Sequence, residues 1–464
     1  MTDKFIDRLC KALRNASVLT GTDIDSRYYH DLAGRPVAQP RAVVRPRTTE
    51  DVSAFLRFCH REKVPVTTQG GMTGLVRGAL PNPNEIVLSM ELMNAVEEVD
   101  TSSGAAVAQA GTPLQKLQER VEQEGYMFPL DLGARGSCTI GGNISTNAGG
   151  NRVIRYGMTR ALILGLEVVT ADGMVLQGLR KYIKNNTGID LKQLFIGSEG
   201  VLGVVTRAAL RIFPAPRERQ VALCALPSFA QVVSILGMAR KLLGGELTAF
   251  EVMWNEYYRL ALERVNGVVR PLPVHYPFYV LIEASGDDAD RIHADLDKLL
   301  DTAMRANMIL DATLSTSNAS AEAIWRIRDC SLELARTFPY AARIALDVSI
   351  AIDRMDQYVK TIVGRIKVID PGAFAIVFGH AGDGNLHIEL HHEHTPDRRH
   401  ELERLAYQIT GEFGGSISAE HGIGIVKRPY LKMSRTSEEI EAMRTLKRAL
   451  DPNNILNPGR IFTM

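Results

Sequence analysis

The sequence predicts an α+β protein in which a strand-rich first half is followed by a sheet covered with long helices. Two observations support this prediction. Short β-rich runs, glycines and turns fill the chain from Pro40 to about Pro216. Beyond Pro214 and Pro216, strand candidates are interleaved with segments whose apolar residues recur at the helical period. Strands that alternate with long helices in this way indicate a sheet covered by helices.

Particular runs give the expected elements of the first half. We expect strands at 42–45, 64–68, 85–89 and 105–110. A helix is expected at 48–62, with Thr49 as its N-cap and Asp51 in its first turn. The runs 164–170 and 174–179 flank Asp172-Gly173, and this dipeptide predicts a β-hairpin.

The second half is expected to hold four long helices and four strands. The helices are predicted at 250–265, 287–307, 319–337 and 398–413, and the strands at 278–284, 343–350, 374–380 and 385–391. We divide the chain into a helical lead-in at 1–35, a first domain at 36–216, a second domain at 217–425 and a C-terminal segment at 426–464.

Composition excludes several classes of protein. The chain has 464 residues and a formal net charge of +1, so no global field favours nucleic acid or anionic lipid. No run is apolar enough for a transmembrane segment, and the N-terminus lacks the features of a signal peptide. The five cysteines form no CxxC pair, which argues against a disulfide framework and a thiolate zinc site. We therefore expect a cytoplasmic protein with buried, reduced cysteines, and peripheral contact with the inner membrane is left open.

Three glycine-rich stretches stand out, at 69–74, 136–150 and 197–203. Glycine lets backbone amides approach a ligand closely, and successive amides form a concavity for anions such as a pyrophosphate. No stretch matches the Rossmann fingerprint or a P-loop. The three together favour a dinucleotide on a different fold, although each one alone could be an ordinary loop.

Histidines and a carboxylate form a second constellation. An apolar strand runs into His380, a Gly-Asp-Gly-Asn turn follows, and a second strand starts near His387, so a hairpin can place both histidines on one face. Glu420 and His421 follow further along, in a segment that must turn if both are to reach one site. Two imidazoles and one carboxylate suit a divalent ion with open positions. Coincidence is the alternative because this region is rich in histidine. The other histidines of this region are expected to be solvated, at the end of a strand and the start of a helix. They are His391, His392, His394 and His400.

Arg326 and Arg328 lie on one predicted helix, two residues apart, so their side chains point in different directions. One can face solvent while the other faces inward. A guanidinium binds a carboxylate through two parallel hydrogen bonds, which makes an inward arginine a candidate anchor for an acid. An ordinary surface arginine is the alternative.

Long motifs in the chain resemble a known family. The segments QGGMTGL, PLDLGARGSCTIGGNISTNAGG, RYGMTRALILGLEVVTADG and DLKQLFIGSEGVLGVVT resemble the FAD domain of the vanillyl-alcohol oxidase (PCMH) type. Within that type they most resemble the D-2-hydroxyglutarate and D-lactate dehydrogenases, from about Pro40 to the C-terminus. The resemblance implies a bipartite FAD-binding domain at 36–216 that the segment 426–464 rejoins. It also implies an α+β substrate (cap) domain at 217–425, with an antiparallel sheet covered by helices.

The resemblance also implies roles for particular residues. FAD is expected to be bound without a covalent link, because Met72 stands where covalent members often carry His; the dehydrogenase branch often has Asn there. His380, His387 and Glu420 match the ligands of a zinc-like divalent ion, His421 matches the proposed general base and substrate contact, and Arg328 matches the carboxylate anchor. The residues implied to bind FAD are Gln69, Gly70, Gly71, Met72, Thr73, Gly74, Gly136, Ser137, Ile140, Gly141, Gly142, Asn143, Thr146, Gly200, Gly203, Val204, Val205 and Asn457.

The substrate pocket departs from the hydroxyglutarate enzymes. Leu332 replaces a Thr, Ala345 replaces a Lys and Glu389 replaces an Asn. Losing a cation and gaining an anion should disfavour a dianionic acid, although Arg343 lies on the same strand face as Ala345 and could substitute. The acid is thus expected in the D-2-hydroxyglutarate, D-lactate or D-malate class, without a choice among them.

The resemblance implies hydride transfer from a D-2-hydroxy acid to FAD, with His421 taking the hydroxyl proton and a 2-oxo acid leaving. The electron acceptor is expected to be an electron-transfer flavoprotein, a quinone or a cytochrome. A homodimer is compatible with the sequence, and no nucleic-acid partner is expected. The alternatives are a flavin oxidase of another alcohol, a non-catalytic flavin-binding subunit, and a flavin-free zinc hydrolase, which would leave the three glycine stretches without a role.

Overall fold

The computed structural model describes residues 4–13, 15–30, 37–393 and 396–464. The chain divides into two compact units: 1–150, 157–215 and 420–464 form the first, and 151–156 with 216–419 form the second. These limits differ from the expected domains in three places. The lead-in belongs to the first unit, 151–156 belongs to the second, and the chain returns to the first unit at Glu420 instead of at 426.

The described residues of the first unit form three sheets. The order β1-β2-β4-β3 is mixed, β5-β6-β10-β8-β9 is antiparallel, and β7 pairs with β11. Numbered along the chain, its strands are β1 (Ser17–Leu19), β2 (Ala42–Arg45), β3 (Val66–Gln69), β4 (Ile86–Ser89), β5 (Val96–Asp100), β6 (Ala105–Gln109), β7 (Tyr126–Met127), β8 (Ile163–Val169), β9 (Val175–Gly178), β10 (Val204–Arg211) and β11 (Phe213–Pro214). Its helices are α1 (Lys4–Ala12), α2 (Thr49–Glu62), α3 (Leu114–Glu122), α4 (Ile140–Thr146), α6 (Thr159–Leu162), α7 (Lys192–Phe195) and α15 (Ser437–Leu450).

The strands expected at 42–45, 64–68, 85–89 and 105–110 are confirmed as β2, β3, β4 and β6, and the hairpin around Asp172-Gly173 is confirmed as β8 and β9. The expectation that Thr49 caps α2 is wrong. Thr48 is the cap: it has extended backbone, its side chain accepts from the amide of Asp51, and the Asp51 carboxylate accepts from the amide of Thr48. This reciprocal capping box satisfies two amides of the first turn.

The lead-in is helical only at α1. Phe5 packs on Phe58 of α2 with ring centroids 5.4 Å apart, and β1 then adds to the edge of the first sheet beside β2. Burial of α1 against α2 explains why this segment belongs to the first unit and is not a separate element. The parts of the predicted lead-in at 1–3, 14 and 31–35 lie outside the described residues.

The second unit is built on one seven-stranded antiparallel sheet in the order β15-β12-β14-β13-β17-β18-β16. Its strands are β12 (Glu218–Leu226), β13 (Leu247–Trp254), β14 (Phe278–Gly286), β15 (Asp311–Leu314), β16 (Arg343–Ser349), β17 (Phe374–His380) and β18 (Asn385–His391). Its helices are α5 (Val153–Tyr156), α8 (Phe229–Leu242), α9 (Asn255–Arg264), α10 (Ala289–Arg305), α11 (Asn318–Asp329), α12 (Ser331–Arg336), α13 (Met355–Ile369) and α14 (Pro396–Glu412). The antiparallel sheet with covering helices confirms the fold class expected for this half.

Two predicted helices of this unit need correction. The segment 250–265 is not one helix: β13 runs through Trp254, and α9 starts at Asn255. Because β13 is buried on both faces, its apolar run lacks the alternation that distinguishes a strand from a buried helix. The predicted helix at 319–337 breaks at Cys330 into α11 and α12. The helices expected at 287–307 and 398–413 and the strands at 278–284, 343–350, 374–380 and 385–391 are confirmed, with small shifts at their ends.

Helices α9 and α11 cover one face of this sheet. Tyr257 and Tyr258 of α9 and Ile324, Trp325 and Ile327 of α11 pack in one apolar cluster with strand residues. The strand residues in that cluster include Leu223, Met253, Leu281 and Phe378. Side chains at alternate positions of β13 and β17 therefore point at α11, and any polar residue among them is buried.

Four of the five cysteines are buried, and Cys10 is exposed, which corrects the expectation that all five are buried. Among the described residues, no helix has the length and apolar character needed to cross a membrane.

Candidate active site

The first two glycine stretches of the first unit lie against each other. A Cβ on Gly71 would lie 1.9 Å from the carbonyl oxygen of Ser137, and one on Gly70 would lie 2.4 Å from Oγ1 of Thr139. Thr139 caps α4, where its side chain accepts from the amide of Gly142. Only glycine permits this approach of two backbones, so the stretches 69–74 and 136–142 form one paired loop structure.

Two buried polar atoms at the end of β3 have no partner in the described part of the chain. They are Oγ1 of Thr68 and Oε1 of Gln69, whereas Nε2 of Gln69 donates to the carbonyls of Tyr28 and Ala79 at 2.8 Å each. A buried acceptor or hydroxyl without a partner costs free energy unless a ligand or water satisfies it. Beside the paired glycine loops, the Thr68 hydroxyl can donate to a phosphate oxygen of FAD, and Oε1 of Gln69 can accept from a hydroxyl such as that of a ribose.

The third glycine stretch is tied to the C-terminal tail by Asn457. Its Oδ1 accepts from the amide of Thr68 at 2.8 Å, and its Nδ2 donates to the carbonyl of Glu199 at 2.6 Å. Asn457 has a positive φ of 42° and is buried. It thus joins the first and third stretches, and its predicted contact with FAD stays a prediction.

The other residues predicted to bind FAD lie around these loops. Met72 has a φ of 56°, and a Cβ on Gly74 would meet open space. Asn143 is buried, and Thr146 Oγ1 donates to the carbonyl of Gly142. The side chains of Ile140, Val204 and Val205 are buried in the core, so their cofactor contacts would come from the backbone. The remaining predicted residues, all in the glycine stretches, are Thr73, Gly136, Gly141, Gly200 and Gly203.

In the second unit, a single buried carboxylate joins two of the predicted site residues. Glu251 of β13 accepts from Nε of Arg328 through Oε2 at 2.8 Å, and its Oε1 lies 2.7 Å from Nδ1 of His380. Glu251 is 1% exposed and Arg328 is 5% exposed. The guanidinium also lies 4.7 Å from the ring centroid of Phe378. Arg328 is therefore the inward arginine of α11, whereas Arg326 forms an exposed ion pair with Glu333.

Burial alone would raise the pKa of the Glu251 carboxyl. The adjacent His380 and Arg328 outweigh that effect, and the pKa lies below its ordinary value. Burial tends to lower the pKa of Arg328, but Glu251 and its neighbours raise it above the ordinary value. Both groups are thus charged at neutral pH, which is the condition under which a buried pair is stable.

The partners of His380 select one ring tautomer. An ionised carboxylate only accepts, so Nδ1 of His380 carries the proton toward Glu251. A guanidinium only donates, and Nη2 of Arg328 lies 3.4 Å from Nε2 of the same ring. Both neighbours therefore favour the ring form with a lone pair on Nε2. This form of histidine binds metals, and in the structure the lone pair faces Nη2 of Arg328.

His387 lies on the same face of the β17–β18 hairpin. It pairs across the strands with Phe378, two residues before His380, and the imidazole centroids of the two histidines are 5.4 Å apart at 82°. Imidazoles that share one ion at Zn–N distances of about 2.0–2.1 Å place their ring centres roughly 5–6 Å apart. Nδ1 of His387 lies 4.0 Å from Oδ1 of the buried Asp347. The two rings thus fit a shared divalent ion.

Glu420 and His421 open the last segment of the first unit, in a bend, so the turn expected there is present. Oε1 of Glu420 accepts from the amide of Gly150 at 2.9 Å, and a Cβ on Gly149 would lie 2.5 Å from that oxygen. The segment just before them belongs to the second unit: Ser416 pairs with Ser349, and Oγ of Ser418 donates to Asp347 at 3.3 Å.

Arg343 and Glu389 form an ion pair on the same sheet face as His387. Their Nε and Oε2 are 3.2 Å apart, and their side chains are 14% and 18% exposed. Burial raises the pKa of the Glu389 carboxyl, and Arg343 acts in the opposite direction. Ala345, directly opposite Glu389, is exposed, and so is Leu332 on α12.

The expectation that His391 and His392 are solvated is wrong, because they are only 5% and 7% exposed. His391 stacks on Phe374 with centroids 4.6 Å apart at 9°. Burial, reinforced by Arg343, lowers the pKa of His391 to about 4. His400 is exposed at the start of α14, as expected, and His394 lies outside the described residues.

Glu251 is the residue that the sequence interpretation missed. It lies in the run FEVMW at 250–254, which we assigned to a helix, where a lone glutamate would be an ordinary surface residue. A signal was nevertheless present, because a single carboxylate in a largely apolar run is either exposed or paired.

The chain matches two family models. Residues 40–178 match the FAD binding domain, and residues 215–461 match the C-terminal domain of FAD linked oxidases. The chain is 42% identical over 428 residues to the mitochondrial D-2-hydroxyglutarate dehydrogenase of Bos taurus, covering 91% of this chain and 77% of that one. It is 38% identical to the D-2-hydroxyglutarate dehydrogenase of Xanthomonas citri pv. viticola, covering 100% of this chain and 98% of that one.

The fold has counterparts among solved structures. Substrate-bound p-cresol methylhydroxylase superposes with a TM-score of 0.78 at 15% identity, over 99% of this chain and 96% of that one. Such low identity shows the fold alone, and this fold is the bipartite arrangement expected from the motifs. Together with the two family models and the two relatives, it shows that the chain belongs to the FAD-linked D-2-hydroxy acid dehydrogenases of the vanillyl-alcohol oxidase type and is an oxidoreductase that uses FAD.

Proposed function

We propose that the chain oxidises a D-2-hydroxy acid to the 2-oxo acid by hydride transfer to non-covalent FAD, assisted by a divalent metal ion. One observation carries the acid and metal part of the proposal: the Glu251 carboxylate holds Arg328, a cation suited to a carboxylate, beside His380, an imidazole with a lone pair on Nε2. The names of the two relatives support the reaction class.

The proposal assigns a separate role in the reaction to FAD, the divalent ion, Arg328 and His421. Bound FAD supplies the hydride acceptor. His380, His387 and Glu420 would hold the divalent ion, proposed to be zinc, which would act as a Lewis acid and lower the pKa of the substrate hydroxyl. Arg328 binds the substrate carboxylate and so orients the carbon that bears the hydroxyl. His421 takes the hydroxyl proton.

The chain path supports the assignment of Glu420 and His421 to this group. Ser418 reaches Asp347, and Asp347 lies beside His387. Glu420 is two residues beyond Ser418, so covalent continuity limits how far its carboxylate can lie from the histidine pair. A carboxylate added to two imidazoles completes the three-ligand set typical of catalytic zinc.

The Arg343–Glu389 pair bears on which acid is oxidised. Glu389 places a carboxylate 3.2 Å from Nε of Arg343, so a second substrate carboxylate that approached Arg343 would meet this like charge. We therefore propose a preference for acids whose side chain carries no second negative charge, such as D-lactate, over D-malate and D-2-hydroxyglutarate. The names of the relatives favour D-2-hydroxyglutarate instead, so the comparison of these acids decides the question.

The remaining expectations stay predictions. They are a cytoplasmic location with contact at the inner membrane left open, a homodimer, and an electron acceptor that is an electron-transfer flavoprotein, a quinone or a cytochrome. The name of the bovine relative places that protein in mitochondria.

Steady-state turnover tests the proposal. Purified holoprotein would be assayed with a redox dye as acceptor, using the D- and L-forms of lactate, malate and 2-hydroxyglutarate. We expect turnover of D-acids only, with loss of activity after dialysis against a chelator and recovery with Zn²⁺. Equal rates for D- and L-acids, or full activity in the metal-depleted protein, would contradict the proposal. A flavoprotein inactive with every acid would instead favour another alcohol or a non-catalytic subunit.

A further inference from the structure

The sheet beneath α11 carries two buried glutamates that have different hydrogen-bond partners. Glu251 on β13 and Glu283 on β14 are each 1% exposed, and both side chains point toward α11. Glu283 accepts from Arg219, from Thr248 and from Nε1 of Trp325, all within 2.9 Å. Only Glu251 uses its second oxygen on an imidazole, that of His380.

We infer that Glu251 is a positioning residue that couples acid binding at Arg328 to metal binding at His380. Its two oxygens serve these two groups separately, at 2.8 Å and 2.7 Å. A single carboxylate therefore sets the position of the guanidinium and the tautomer of the ring. The inference rests on the proposed function, since it concerns the same acid and the same ion.

The inference depends on the number of hydrogen-bond donors around the Glu251 carboxylate. Both partners donate to Glu251, so both of its oxygens must accept. A glutamine has one accepting oxygen, and its amide nitrogen would face a second donor. In the Glu251→Gln variant the one oxygen can accept from only one of the two donors, and the loss of the negative charge weakens the hydrogen bonds to Arg328 and to His380 alike. Removal of such a hydrogen-bond partner from a metal-ligating histidine lowers metal affinity by about 10- to 100-fold.

Glu283→Gln is the matched control. It changes a glutamate of equal burial on the neighbouring strand, next to the same helix, and it also removes one of the two carboxylates that pair with Arg219, whose other partner is Glu322. Any general weakening of the sheet should therefore appear in both variants. An effect on the metal should appear in the Glu251 variant alone.

The experiment uses metal-depleted FAD holoprotein. Zn²⁺ affinity is measured by competition with a chromogenic chelator, and pyruvate binding to the oxidised protein by perturbation of the flavin spectrum. In Glu251→Gln we expect the dissociation constants for Zn²⁺ and for pyruvate to rise at least about 10-fold. In Glu283→Gln we expect both to stay within about threefold, a change of under 1 kcal/mol.

Several results would overturn the inference. Wild-type Zn²⁺ affinity in the Glu251 variant would refute it, and so would a change in only one of the two constants. If wild-type protein itself binds no Zn²⁺, the proposed metal site fails and the inference falls with it, which is a separate outcome. If the Glu251 variant does not fold, the ¹⁵N chemical shifts of the His380 ring in wild-type protein show which nitrogen carries the proton. We expect the proton on Nδ1, and a proton on Nε2 would refute the inference.

Discussion

Glu251 and His380 lie on neighbouring antiparallel strands, directly opposite each other in register, with Oε1 of the carboxylate 2.7 Å from Nδ1 of the ring. The pair lies under the C-terminal end of α11, where Arg328 donates to the other carboxylate oxygen. Through these contacts, one buried carboxylate connects helix α11 to strands β13 and β17. It also favours the ring form of His380 that carries its proton on Nδ1.

The first prediction concerns Arg328. Arg328→Lys removes the planar fork and leaves a point charge, so we expect the dissociation constant for the hydroxy acid to rise roughly 10- to 100-fold, corresponding to about 1.5–3 kcal/mol. The constant is measured from the substrate dependence of flavin reduction in rapid mixing. Arg326→Lys, on the exposed pair with Glu333, is the control and should leave the constant unchanged. Equal effects in the two variants would show that Arg328 does not bind the acid.

The second prediction concerns His421. His421→Ala should lower the rate of flavin reduction by about 10²–10⁴-fold, the usual range for a lost general base. FAD content, measured by the flavin absorbance after purification, should match wild type, because the predicted FAD contacts lie in other residues. His400→Ala, an exposed histidine on α14, provides the control. Near-normal reduction in the His421 variant would mean that another group takes the proton.

The third prediction concerns Glu389. Glu389→Gln removes the carboxylate that occupies Arg343 and leaves a cation for a second substrate carboxylate. We expect the ratio of kcat/KM for D-2-hydroxyglutarate to that for D-lactate to rise by about 10-fold or more, which is 1.4 kcal/mol. The control is Glu412→Gln, which changes an exposed Arg–Glu pair with Arg365. An unchanged ratio would indicate that this ion pair lies away from the substrate.

The fourth prediction concerns pH and His391. Its pKa of about 4 lies below the ordinary value of about 6.5, so the unfolded chain binds the proton more readily. Stability is therefore full above about pH 6.5 and falls as the pH drops toward 4, by at most about 3 kcal/mol from this group. Between pH 7 and pH 4.5, the melting temperature of His391→Gln should fall less than that of wild type. The melting temperature of His400→Gln should fall as much as that of wild type. A drop as large as that of wild type would contradict the prediction.

Sequence patterns predicted the β17–β18 hairpin well. Its two strands begin and end at the expected residues, because the Gly-Asp-Gly-Asn turn separates two clear runs. The inward direction of one arginine on α11 also followed from helical geometry. Both features are determined by residues that lie close together in the sequence.

Features that depend on tertiary packing could not be predicted in the same way. The sequence assigned β13 to a helix, and this error hid Glu251, because strand and buried-helix patterns coincide when both faces are apolar. The burial of His391 depends on Phe374, its cross-strand partner, and on Phe338 from a different element. Such burial follows from how distant segments pack, which the residues around His391 do not reveal.

The most direct test of the central claim is anaerobic reduction of the bound flavin. D-lactate, D-malate and D-2-hydroxyglutarate, each beside its L-isomer, would be added to the oxidised holoprotein before and after treatment with a chelator. We predict that the visible flavin band bleaches with D-acids only, fastest with D-lactate, and that the chelator abolishes the bleaching until Zn²⁺ is restored. A flavin band that persists with every D-acid would contradict a D-2-hydroxy acid dehydrogenase, and bleaching that the chelator leaves intact would contradict the metal.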